Sequence, residues 1–176
     1  PANAETVKKT SSPPVKSQPK KSPEANFLEG SACLKQAKKA CARLALANIP
    51  STSPYAKLLQ GTLALSDQQT DKALLLLLPL QPEDNLLPEE NIILHASLAN
   101  AFEKLNDTQQ AVQHLMQAEA IITASAPPDA QGRVTEVQQK IWDLISKLDQ
   151  PELVALRGNN TDNNFQGWID LCLASR

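Results

Sequence analysis

The sequence predicts an all-α protein made of antiparallel helix pairs stacked in series, and three observations carry that prediction. Aromatic residues are only 3% of the chain and glycines number 5, a composition that starves β-structure of its preferred residues and favours helix. Apolar residues recur at steps of three and four through most of the sequence after residue 23, the period of a helix with one buried face. A spacing of small residues also recurs: Gly61 and Ala73 stand twelve apart, as do Ala99 and Ala111, and Leu77 answers to Leu115, so two units lie 38 residues apart.

At 176 residues the chain is long enough for one domain with a real core. Residues 1–23 are expected to stay outside it as a flexible tether. They hold five Pro and, among large apolar side chains, only two Val, too little to offset the entropy of ordering. A docking peptide for an acidic partner is the alternative reading of this lead-in. The net charge of −2 hides an asymmetry, because those residues carry five Lys against Glu5 alone and leave the helical part at −6. Nothing in that balance marks a nucleic-acid partner.

The helical domain is expected over residues 24–176. Across residues 24–48, Phe27, Leu34, Ala37, Cys41, Leu44 and Ala45 read as the apolar face of one amphipathic helix, closed by Ile49-Pro50. Its Lys35, Lys38, Lys39 and Arg43 read as a solvated face. On a continuous helix Cys33 and Cys41 would be about 12 Å apart, beyond the Cα separation of about 7 Å that a disulfide spans. Either that helix breaks or the two thiols are free.

Ser53-Pro54 supplies an N-cap followed by Pro at the first helical position, opening a helix that turns at Ser66-Asp67-Gln68-Gln69 into a second. The run Leu74 to Leu78 is apolar all round and reads as buried on most sides. At six apolar residues ending on Pro79, the stretch from Ala73 is far short of the ~20 that a membrane span needs. Pro79, Pro82 and Pro88 enclose a loop. Glu89 and Glu90 then stand in the first turn of a helix, where carboxylates complement the dipole, and Asp107 with Gln110 starts its partner as in a capping box. Residues 129–148 form a long helix carrying Val134, Val137, Ile141, Trp142, Leu144, Ile145 and Leu148. A short segment follows at Pro151, then a polar turn, and a closing amphipathic helix with Phe165 and Trp168 in the core.

The stretch 88–124 resembles a tetratricopeptide unit. Leu98, Ala99 and Phe102 reproduce the Leu-Gly-x-x-Tyr spacing of its first helix, and Ala111, Leu115 and Ala118 the Ala-x-x-x-Phe-x-x-Ala spacing of its second; His95 stands where that repeat usually has Trp. The order LLQGTLALSDQQTDKALLLLLPL, HASLANAFEKLNDTQQAVQHLMQA, IWDLISKL and NNFQGWIDL, over residues 55–173, resembles the N-terminal domain of the LppC/LpoA family. These are outer-membrane lipoproteins that activate class A penicillin-binding proteins. The block Gln166-Gly167-Trp168-Ile169-Asp170-Leu171 is the most specific element of that resemblance.

The resemblance implies a periplasmic protein anchored to the outer membrane by a lipidated Cys upstream of Pro1. It further implies a helical repeat domain followed by an α/β domain that this chain lacks, and a class A synthase, with peptidoglycan, as partners. The expected function is therefore a non-catalytic scaffold of cell-wall synthesis without a cofactor. The sequence carries no Gly-rich phosphate loop, no His-Glu-x-x-His pair and no Cys-x-x-Cys. His95 and His114 fall on the two helices of one unit, where they read as packing residues before a metal pair. Two alternatives are a peptide-binding repeat module unconnected with the synthase and a glycan-cleaving enzyme using Asp162 and Asp170. For binding, the polar positions Asn100, Glu103 and Lys104 on the first helix of the central unit are the expected contacts.

Overall fold

The computed structural model describes residues 21–80 and 85–176, so most of the expected tether and part of the loop after Pro79 lie outside the described residues. Among the described residues the fold is all-helical, with nine α-helices and no strand. In chain order they are α1 (Pro23–Lys35), α2 (Lys39–Ala47), α3 (Pro54–Ser66), α4 (Thr70–Leu77), α5 (Pro88–Lys104), α6 (Thr108–Ser125), α7 (Ala130–Ile145), α8 (Gln150–Gly158) and α9 (Asn163–Ala174). None of these helices is long and apolar enough to cross a membrane.

The expected single helix over residues 24–48 is two helices. α1 begins at Pro23, capped by the Ser22 hydroxyl accepting from the Ala25 N–H at 3.1 Å. It stops at Ala37, whose φ of 58° is left-handed. The chain ends α3 and α5 in the same way, at Gln68 (φ 60°) and Asn106 (φ 59°). In all three turns the N–H of the left-handed residue donates to the carbonyl three back, of Leu34, Leu65 and Glu103, at 2.9, 3.0 and 3.0 Å. The following N–H, of Lys38, Gln69 and Asp107, donates to Cys33, Ala64 and Phe102 at 2.8, 2.8 and 2.9 Å. These two bonds satisfy the last carbonyls of each first helix and reverse the chain into its partner.

The same register carries the small residues. Gly30 and Ala42 are twelve apart, as are Gly61 and Ala73 and then Ala99 and Ala111. Ala42, Ala73 and Ala111 are each 0% exposed. A Cβ on Gly30 would stand 2.5 Å from Leu59 Cδ2 and 3.2 Å from Ala45 Cβ, and one on Gly61 would stand 2.5 Å from Leu77 Cδ2. Side chains there would push the helices apart, so the absence of a Cβ sets their separation. The described residues therefore hold three pairs with equivalent turns, α1/α2, α3/α4 and α5/α6, with α1 and α2 both packed on α3, and α3 and α4 both packed on α5. α7 packs on α6, and α9 closes that end against α7 and α8.

The break at Ala37 also settles the cysteines. With α2 folded back on α1, the Cα atoms of Cys33 and Cys41 come within 5.9 Å and form a disulfide. Cys172 is free and buried, and burial pushes its thiol pKa up.

Two buried clusters make up the core, one over α1 to α5 and one over α5 to α9, with Phe102 packed against both. Three apolar expectations are corrected. Leu77 is fully buried, but Leu75 is 77% and Leu78 49% exposed, because α4 is covered on its α3 and α5 sides only. Leu44 is exposed because Ala42 and Ala45 form the inner face of α2. Trp142 is exposed and Trp168 only half-buried: α7 turns Ile141, Leu144 and Ile145 inward, and α9 turns Phe165, Ile169 and Cys172.

Candidate functional site

Two grooves run over this stack. The first, of about 650 Å³, is lined by the first helices α1, α3 and α5 together with Lys140 of α7. It contains Asn100 and Lys104, two of the three positions expected to bind. The equivalent turns explain the alignment: each pair presents its first helix on the same side, so Leu34, Leu65 and Asn100 come from different units onto one surface. Three ammonium groups, from Lys35, Lys104 and Lys140, line it, and among the described residues no carboxylate does. Lys104 Nζ donates to the Leu65 carbonyl at 3.2 Å, which ties α5 to α3. Glu103, the third expected position, lies outside the groove lining and pairs with Lys140 at 3.4 Å, bridging α5 to α7.

The second groove, of about 840 Å³, lies between α6, α7 and α9. Met116, Glu119 and Thr123 come from α6, Gln138 and Ile141 from α7, and Asn163, Asn164, Gly167, Trp168 and Leu171 from α9. Its polar groups are amides, carboxylates and the Thr123 hydroxyl. Gln138 Nε2 donates to Glu119 Oε1 at 2.6 Å, joining α7 to α6. Asp162 caps α9 by accepting from the Phe165 N–H at 2.8 Å. A shallower depression continues over Trp168 to Trp142, so the only two tryptophans of the chain share one surface. The sequence reading placed both on apolar helix faces and missed this groove. The signal was the α9 composition itself, where a Gly beside a Trp follows two Asn.

The carboxylates considered for glycan cleavage serve other contacts. Asp170 lies outside the groove lining and accepts from Arg157 Nε at 2.7 Å and Nη2 at 3.2 Å, bonds that hold its carboxyl below the usual range. Asp162 is at the groove and holds the helix cap.

The two histidines do meet. His95 Nδ1 and His114 Nδ1 are 3.0 Å apart, one donating to the other, and Phe102 stacks on His114 with ring centroids 5.6 Å apart. Burial, then the neighbouring His114, lowers the His95 pKa to about 4, and burial lowers that of His114. Among the described residues no group of three or more His, Cys, Asp or Glu is placed to hold a metal ion.

The two acids opening α5 part company. Glu89 makes a two-bond pair with Arg133 of α7, at 2.8 and 3.3 Å. Glu90, which stands beside it in the first turn, is 1% exposed with Oε2 unpartnered among the described residues, and burial raises its pKa.

Compared with known proteins, the chain matches no family model, no curated protein and no solved structure.

Proposed function

We propose that the chain is a non-catalytic, tetratricopeptide-like protein-binding scaffold, its helix pairs stacked as a superhelical repeat. In the setting that its resemblance to the LppC/LpoA family implies, it belongs to an outer-membrane lipoprotein that activates class A penicillin-binding proteins in the periplasm. One observation carries the reading: three pairs with equivalent reversing turns bring α1, α3 and α5 onto one side, where they line a continuous groove. Stacked helix pairs of this kind offer an extended surface to a partner rather than an enclosed reaction site. Asn100 and Lys104 are its contact residues, and Lys35 extends the positive lining toward an acidic segment of the partner, while the Lys140 charge is shared with Glu103.

Titration of the 176-residue chain with the soluble periplasmic region of a class A penicillin-binding protein tests this. A dissociation constant of micromolar or tighter, about −8 kcal/mol, is expected. Lys104→Glu weakens it through charge reversal. Absence of binding at tens of micromolar, or binding insensitive to Lys104→Glu and Asn100→Ala together, refutes the groove as the contact.

A further inference from the structure

We infer that the groove between α6, α7 and α9 is a binding site for a neutral saccharide chain, with Trp168 as its stacking platform. Aromatic residues are scarce in this protein, and buried positions take up Phe27 and Phe165. The two tryptophans are instead left on the surface, Trp168 half-buried and Trp142 38% exposed, along one continuous depression. Indole rings carry a large apolar face and one donor, which matches a ligand with an apolar C–H face and a polar edge. Sugar rings have that two-sided character.

The polar lining narrows the class further. Gln138, Asn163 and Asn164 offer planar amides, each able to donate to one hydroxyl and accept from its neighbour. Among the described residues no Lys, Arg or His lines the groove, so nothing there neutralises a phosphate or an acidic peptide. The two carboxylates, Glu119 and Asp162, accept from Gln138 and the Phe165 N–H and keep their charge, so the lining repels an anionic ligand while their remaining lone pairs can accept from sugar hydroxyls. At about 840 Å³ the groove has the size of sites that take ligands of several rings.

Gly167 extends the same surface. It stands within α9, where Gly costs about 1 kcal/mol relative to Ala, and a Cβ built there meets nothing within 4 Å. The same is true of Gly132 and Gly158, and what sets Gly167 apart is its place in the groove lining. It lines the groove next to Trp168, and its bare backbone leaves room for a ligand to approach the indole.

The test is a titration of the 176-residue chain with chitotetraose and with cellotetraose, followed by tryptophan emission and by calorimetry. Saturable binding in the range of about 0.1–1 mM is expected, consistent with a few stacked rings and hydroxyl bonds. Trp168→Ala weakens it at least about tenfold. Because Trp168 also touches the core, Gly167→Leu is the second variant: it leaves the melting temperature unlowered and abolishes the emission change. The inference is overturned if neither sugar produces a saturable change at 10 mM, or if Gly167→Leu binds like the parent. It is equally overturned if an amphipathic helical peptide occupies the groove while both sugars are inert. The synthase titration reads the other groove, of α1, α3 and α5, which shares no lining residue with this one, so either result can fail without the other.

Discussion

Replacing His95 by Gln removes a titrating group from the centre of the α5/α6 pair while keeping a side chain able to bond His114. In the parent, the Nδ1 atoms share one hydrogen bond at 3.0 Å, and a second proton would set two N–H groups against each other. His95 titrates at about 4 in the folded chain against 6.5 in the unfolded one, through burial and then His114. The unfolded state thus binds the proton first on acidification. Stability from this residue is complete above about pH 6.5 and falls as the pH drops toward 4, where the folded protein begins to take the proton itself. At pH 5 the unfolded residue gains protonation free energy that the folded one lacks; because the ring is only partly buried, solvent screening reduces the loss relative to pH 7 to about 1 kcal/mol. Urea unfolding followed by circular dichroism at pH 7 and pH 5 measures it in parent and His95→Gln. The variant should lose about 1 kcal/mol less between the two pH values. Equal losses in the two proteins would refute the buried, shared-proton account of this pair.

Other outcomes follow from the same structure. The Cys33–Cys41 disulfide closes a separation of 8 residues, so chain entropy assigns it about 2.5 kcal/mol; denaturation with and without reductant should show that loss, with α2 the first helix to exchange its amides. Ala37→Gly relieves an exposed left-handed alanine and should raise stability by about 0.5–1 kcal/mol after allowing for the more flexible unfolded chain, read as a shift in the urea midpoint. Glu90 has a raised pKa, so the stability linked to it is present below its unfolded value of 4.5 and is lost as the pH rises through the folded one. Glu90→Gln should accordingly stabilise at pH 7 by about 1 kcal/mol and have a smaller effect at pH 4, a difference that paired urea curves resolve.

The sequence by itself determined the helical class, the α3/α4 and α5/α6 pairs and the caps at Ser53 and Asp107, because periodicity, small-residue spacing and capping chemistry are local properties. It also carried the first pair, in the twelve-residue step from Gly30 to Ala42, but the reversing residue there is Ala37. A left-handed alanine has no sequence signature. Its cost is met by the packing of α2 on α1 and by the Cys33–Cys41 bridge, which are tertiary facts. Other outcomes belong to the tertiary structure for the same reason. The amphipathic pattern says which residues prefer burial, and only the neighbouring helices decide which are covered: Leu77 is enclosed while Leu75 one turn face away is bare. Trp142 and Trp168 read as core residues on apolar stripes, and α9 closing against α7 left Trp142 exposed and Trp168 packed on the core by part of its surface, with the rest along a groove. Likewise Glu89 and Glu90 are chemically identical neighbours in one helix turn. Arg133 on α7 stands within reach of the first, and the packing around the start of α5 buries the second. Local sequence fixes what a residue can do, and the elements that fold against it fix which of those things it does.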